Sequence, residues 1–413
     1  MSTPLVLIEL YADRLGGHHQ RTLTALAQTR PGTLVITPGG APWAVRDALR
    51  DADARLVTQA AGRPARLMTA SSRALERVSR AGQRLLRRCP ARVRRWPHQI
   101  TLVSRLLAEA AALRTARRLA PGATGVVILS ASEALHGAAA GLGGLPHLRF
   151  VHELVTREDA GVRLLGLLGR PWEDRVIALC PTRTVQEQVS GVFPRLRVKV
   201  RAFAVDDGLP LTPAELSGAR TAFSIPDQDA VVCLVGGWWP SKDITAVDAA
   251  LARLTEPLHL IVAGSPTDPM VLARWRDLPL VHLHTVPGPV SEPVLRLVYA
   301  ASDAALVARP PDTGKESGLV MDAARLGVPL IVSDHDPALT ARLAQEPWAR
   351  VFTASRPDHL AGALDALVRQ PLALPGPDAP AAVGMATATG QAAFLIQAAR
   401  ELQEPLSCPP PPP

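Results

Sequence analysis

Two successive blocks of short apolar runs, separated by alanine- and leucine-rich stretches, constrain this chain more than any other feature. In the first block the runs are 5–10, 33–37, 125–130, 148–152 and 176–179, with helical stretches at 19–28 and 100–119 between them. In the second they are 230–236, 258–263, 281–283, 304–307 and 329–333, with helices predicted at 244–254, 293–301 and 319–326. Runs this short and this apolar predict strands buried on both faces. Strands that alternate with helices predict parallel sheets, because parallel neighbours need a crossover long enough to hold a helix. The expected fold class is therefore α/β, two Rossmann-like doubly wound domains facing a cleft. The length of 413 residues agrees, being too long for one core and enough for two of about 200 residues each.

The seam is expected within 198–212, where a strand-like run meets Asp206, Asp207, Gly208 and a proline-containing linker. Residues 1–200 would form the first domain and 201–385 the second. Residues 386–405 would hold a helix packing back across the seam, and 406–413 a proline-rich tail expected to be disordered.

Composition narrows the class. The chain is 47% hydrophobic and 20% charged, which is globular rather than disordered. Cys89, Cys180, Cys233 and Cys408 form no closely spaced pair, so neither a disulfide framework nor a zinc site is expected, and a reducing compartment is. The first apolar run has no basic leader, and Asp13 and Arg14 soon follow it, so it is expected to be a strand and not a signal peptide. No stretch reaches the roughly 18 apolar residues of a membrane span. The expected place is the cytoplasm, with peripheral contact at the inner face of the plasma membrane left open.

The net charge of +8 is unevenly spread, since Gly62–Trp96 alone holds eleven arginines against one acid, Glu76. Arg73, Arg77, Arg84, Arg87 and Arg88 are the candidates for a surface meeting a charged acceptor or an anionic membrane. The same stretch also fits an amphipathic helix with a solvated basic face around Leu67, Leu75, Val78, Leu85 and Leu86. Nucleic acid is disfavoured, because Trp96 is the segment's single aromatic and no binding module is recognisable.

From Ala230 to Pro337 the ends of the predicted strands carry a series of motifs in a characteristic order. A strand and Gly237-Trp238-Trp239-Pro240-Ser241-Lys242-Asp243 come first, followed by a strand ending in Gly264 and a loop at Val286-Pro287-Gly288. Leu297–Asp303 and Glu316–Pro329 complete it. This order resembles the nucleotide-sugar domain of the GT-B glycosyltransferases, in particular the large retaining family 4. The first half resembles the family more loosely, through Gly16-Gly17-His18-His19, through His152 and Glu153, and through residues 177–187 and 198–206. The resemblance covers roughly residues 6–368.

The resemblance implies a site. Lys242, one of only three lysines, would meet the donor diphosphate just before a helix N-terminus. The arginine usually paired with it is replaced by Gly237, and Arg309 is the candidate substitute. Asp322 would hold the ribose hydroxyls and Glu316 the donor sugar, although Glu316 precedes Asp322 by six residues where the family has eight. Ser317 and the backbone N–H groups of Gly318 and Leu319 would cap the helix and face phosphate. Gly16 and Gly17 would let backbone approach the donor, with His18 and His19 as further donors. His152 would touch the transferred sugar or the reacting oxygen. No carboxylate stands out as a covalent nucleophile, and neither a metal nor a cofactor beyond the nucleotide-sugar co-substrate is implied. The implied activity is metal-independent hexosyl transfer with retention, to a glycan, lipid-linked or small-molecule acceptor, in bacterial cell-envelope or polysaccharide biosynthesis. A catalytically inactive GT-B-shaped partner or membrane-surface adaptor is the alternative, and a sugar-nucleotide epimerase of the same fold is a weaker third.

Overall fold

The computed structural model describes residues 4–13, 18–86, 89, 91–123, 125–132, 135–154 and 160–403. Gly16, Gly17, Arg87, Arg88 and the proline-rich tail lie outside them. The contacts divide the chain after Phe203 and again before Ala388, so the last helix, Ala388–Gln403, belongs to the first unit.

The first unit holds seven parallel strands: β1 (Leu5–Ile8), β2 (Leu34–Ile36), β3 (Arg55–Val57), β4 (Gly125–Ile128), β5 (His147–Phe150), β6 (Val176–Cys180) and β7 (Arg197–Val200). Their order is β3-β2-β1-β4-β5-β6-β7. Successive side chains of a strand point to opposite faces, so each apolar run supplies two cores. Val6 and Ile8 join Leu102, Leu106 and Leu113 of the helix Ala91–Leu119. Leu5 and Leu7 join Leu23 and Leu26 of the helix His18–Gln28 and Leu395 and Ile396 of the last helix. Each such aliphatic side chain contributes about 1.5–3 kcal/mol when buried.

The second unit repeats the plan. After the two-residue β8 (Val205–Asp206) come β9 (Val231–Val235), β10 (Leu258–Gly264), β11 (Val281–Pro287), β12 (Ala304–Val307), β13 (Leu330–Ser333) and β14 (Ala349–Phe352), and β15 (Ala386–Thr387) pairs with β8. The main sheet runs β11-β10-β9-β12-β13-β14, all parallel. Val232 and Leu234 face one core, and Val231, Cys233 and Val235 the other. Both orders reverse direction once, between β1 and β4 and between β9 and β12. In doubly wound sheets ligands bind outside the carboxyl ends of the strands at that reversal.

The basic segment departs from one expectation. The helix Arg63–Leu85 packs on Ala91–Leu119 through Ala65, Ser72 and Ser79, spaced seven apart. Ser72 Oγ donates to Ser104 O at 2.8 Å and Ser79 Oγ to Pro97 O at 2.6 Å. Small residues bring the two backbones close enough for hydroxyls to reach the neighbour's carbonyls, and they take the whole buried face. Leu67, Val78 and Leu85 are left 62%, 50% and 80% exposed, so they do not anchor the helix as an ordinary amphipathic pattern would.

Candidate functional site

In the second unit three strand ends and one helix start build a cationic site. β9 is followed by Gly236 at φ +87°, and the chain turns through Trp239 to Lys242 before the helix Ile244–Leu251. The close packing of this turn explains the missing arginine. A Cβ at Gly237 would stand 2.4 Å from Ser265 O and 2.7 Å from Pro266 Cδ, so no side chain fits there. Lys242 Nζ donates to Val235 O, and to Gly236 O at 3.0 Å, and pairs with no carboxylate among the described residues. Burial, with repulsion from Arg309 second, pulls its pKa down to about 7.

Arg309 follows β12 and is buried. Its N–H donates to Ser333 Oγ at 3.0 Å and its guanidinium to Lys315 O at 3.2 Å, which ties the loop before the helix Gly318–Leu326 to the strand ends. His335 lies just beyond β13, its Nδ1 within 3.0 Å of Ser333 Oγ. Burial and then Arg309 push its pKa down to about 4, so it is neutral. Ser317 stands at the N-cap of the Gly318–Leu326 helix, yet makes no capping bond. Its Oγ is buried with no hydrogen-bond partner, as is His335 Nε2. A helix N-terminus with an unpartnered hydroxyl, beside two cations, is chemistry that attracts an anion.

The two predicted acids have partners of their own. Glu316 Oε2 accepts from Ala204 N–H at 3.3 Å. Asp322 lies one turn into the helix, 3.5 Å from the buried Arg325, which also pairs with Asp207 at 3.2 Å and Glu292 at 3.0 Å. Asp322 thus sits in a charge network as well as on the helix that carries Gly318 and Leu319.

The first unit gathers a second polar cluster at its own strand ends. Glu9, directly after β1, is fully buried and accepts from Ser130 Oγ at 2.7 Å and from Tyr11 N–H at 2.8 Å. His19 Nδ1 lies 2.8 Å from Ser130 Oγ, and its ring centroid is 4.8 Å from that of His152. His152 Nε2 donates to Leu129 O at 2.9 Å, and the ring packs edge-on against Phe203. Of the sequence candidates, the structure therefore joins His19 and His152 in one cluster, and Lys242, Arg309 and the Gly318–Leu319 turn in another. The His18 side chain is outside the described set. Glu9, Ser130, Ser317's lack of a cap and His335 were not legible as site features, although a lone glutamate closing an otherwise apolar run is a usable signal. Arg73, Arg77 and Arg84 lie exposed on the Arg63–Leu85 helix. No cluster of three or more His, Cys, Asp or Glu side chains suited to a metal occurs among the described residues, and no described helix is long and apolar enough to cross a membrane.

Two Rossmann-like domains, each with its polar residues at the carboxyl ends of a parallel sheet, define the GT-B fold. No family model and no curated protein sequence matches the chain. Among solved structures it is similar to HepE of Anabaena in complex with UDP-glucose, at 13% identity and TM-score 0.59, over 96% of this chain and 97% of that one. It is also similar to a UDP-forming α,α-trehalose-phosphate synthase of Burkholderia xenovorans in complex with glucose-6-phosphate, at 12% identity and TM-score 0.58, over 97% and 100%. A third is WaaG, a glycosyltransferase involved in lipopolysaccharide biosynthesis, at 14% identity and TM-score 0.53, over 97% and 100%. At such identities the likeness is one of fold.

Proposed function

We propose that the protein is a glycosyltransferase that moves a sugar from a nucleotide-sugar donor to a glycan, lipid-linked or small-molecule acceptor. One observation carries this reading: Lys242, Arg309 and the uncapped N-terminus at Ser317 converge where β9 and β12 diverge. A departing nucleoside diphosphate is the anion such an arrangement stabilises. Lys242 neutralises the diphosphate, Arg309 supplies the charge that no side chain at Gly237 can, and Gly318 and Leu319 donate backbone N–H groups. Asp322 takes the ribose and Glu316 orients the sugar. The transfer is of the retaining, family 4-like kind and needs no metal. The anomeric C–O bond to phosphate breaks, the acceptor oxygen bonds the same face, and its proton passes to the leaving phosphate oxygen. The enzyme works at the cytoplasmic side in envelope or polysaccharide synthesis.

A thermal-shift screen of UDP, GDP, ADP and TDP tests the donor site. At a hundredfold its dissociation constant, a ligand stabilises the fold by about 2.7 kcal/mol. A shift with one nucleotide that disappears in Lys242→Ala supports the assignment. No shift with any of them removes it and favours the catalytically inactive partner.

A peripheral membrane contact is supported by the Arg63–Leu85 helix. At about 100° per residue, Arg66, Arg73, Arg77, Arg80 and Arg84 fall on one stripe, and the exposed Leu67, Val78 and Leu85 on a second, apart from the buried seam. A basic stripe beside an exposed apolar one suits an anionic bilayer surface. Co-sedimentation should occur with phosphatidylglycerol vesicles and not with phosphatidylcholine ones, and fall at least tenfold in Leu67→Ser/Val78→Ser/Leu85→Ser. Equal pelleting by that variant would count against the contact.

A further inference from the structure

A cavity of about 240 Å³ opens in the first unit at the carboxyl ends of β2 and β3, beneath the Arg63–Leu85 helix. Ile36, Ala111 and Ala112 give it an apolar floor. Thr58 and Gln59 lie at the strand ends, and Arg66 and Arg73 enter from the helix, two turns apart. No acidic residue lines it. Neither guanidinium has a hydrogen-bond or ion-pair partner among the described residues, and nor do the Thr58 and Gln59 side chains. The other two lining hydroxyls are committed, Thr69 to Ala65 O at 2.9 Å and Thr115 to Ala111 O at 2.8 Å. The donors left to a ligand are therefore two cations, one amide and one hydroxyl.

We infer that this cavity takes one anionic sugar unit, its phosphate or carboxylate on Arg66 and Arg73 and its hydroxyls on Thr58 and Gln59. Uncompensated guanidinium groups match oxyanions bidentately. The volume falls below the roughly 300–1,000 Å³ of drug-sized sites, which limits the occupant to a single ring. The inference rests on the transferase reading in making this unit part of the acceptor. A neutral sugar leaves both cations unpaired and binds weakly.

Saturation-transfer NMR on the full chain, with methyl glucuronide, methyl glucoside 6-phosphate and methyl glucoside as probes, tests it. At least one charged glycoside should bind ten times more tightly than the neutral one. Whichever charged probe wins separates a carboxylate acceptor from a phosphorylated one. Arg66→Gln/Arg73→Gln should lose that preference while its thermal midpoint and its nucleotide-induced shift stay as in the wild type; both residues are exposed, so the fold should hold. Equal binding of charged and neutral probes, or an unaltered preference in the double variant, would overturn the inference. If the charged glycosides bind as expected but no nucleotide shifts the wild type, the cavity stands as an anionic-sugar site and the transferase reading fails by itself.

Discussion

Gly237 shows how a single backbone contact redistributes charge in a site. Ser265 and Pro266 leave no room for a side chain at Gly237, and the guanidinium to act in its stead, on the reading proposed above, is Arg309 after the adjoining strand β12. Lys242 lies close by, where burial first and the Arg309 charge second draw its pKa down to about 7. Only the protonated ammonium attracts a diphosphate. Nucleotide diphosphate affinity should thus be full by about pH 6, half lost near about pH 7, and fall by up to about tenfold per pH unit above that. Lys242→Arg, which stays charged, should bind with a flat profile between about pH 6.5 and 8.5; isothermal titration at three pH values checks this. Lys242 was legible because lysine is scarce here and a motif surrounds it. His335, and the missing cap that leaves Ser317 Oγ unpaired, were not, since what marks them is a buried atom without a partner, and that depends on every neighbour.

At the scale of elements, a hidden ion pair docks a helix on the first sheet. Arg149 of β5 and Glu109 of the Ala91–Leu119 helix are both fully buried, 2.9 Å apart, and both bond Ser132, whose N–H reaches Glu109 Oε1 at 2.6 Å. Burial pushes the Glu109 carboxyl up and Arg149 opposes it. Removing one partner strands the other charge, so Glu109→Ala should cost about 3–5 kcal/mol in urea unfolding. Glu109→Leu/Arg149→Met should recover most of it, because the desolvation cost disappears with the pair. In sequence these are one acid in an alanine-rich helix and one arginine in a strand, forty residues apart, and nothing local couples them. Element existence was easier. β1, β2, β4 to β6, β9, β10, β12 and β13 all fall on runs predicted from apolarity, because they are central and buried, and the edge strand β11 was caught only through its apolar start at 281–283. The edge strands β3 and β14 carry Arg55 and Arg350 and were missed, since a strand half open to water need not be apolar.

At the scale of the whole molecule, one buried histidine in each unit should make the fold sensitive to acid. His147 is held neutral by burial and by Arg149, its pKa lowered to about 3, and His335 to about 4 by burial and Arg309. Unfolded histidine titrates near pH 6.5, so below that the unfolded chain binds more protons and stability falls as pH drops. The contribution is complete above about pH 6.5, and each histidine should cost about 2 kcal/mol by pH 5. Urea midpoints at the two pH values should differ less for His335→Asn than for the wild type. The alternation of apolar runs and helices was enough to determine two parallel α/β sheets, because strand and helix periodicity is written along the chain itself. The order of motifs was enough to nominate Lys242 and the Gly318 turn. Only the tertiary structure decided that Leu67, Val78 and Leu85 stay in water, that Asp322 shares Arg325 with Asp207 and Glu292, and that Ala388–Gln403 packs on the first sheet. It also brought Ser130 to Glu9 across 121 residues. Burial and choice of partner are set by groups far apart in sequence, and no local pattern carries them.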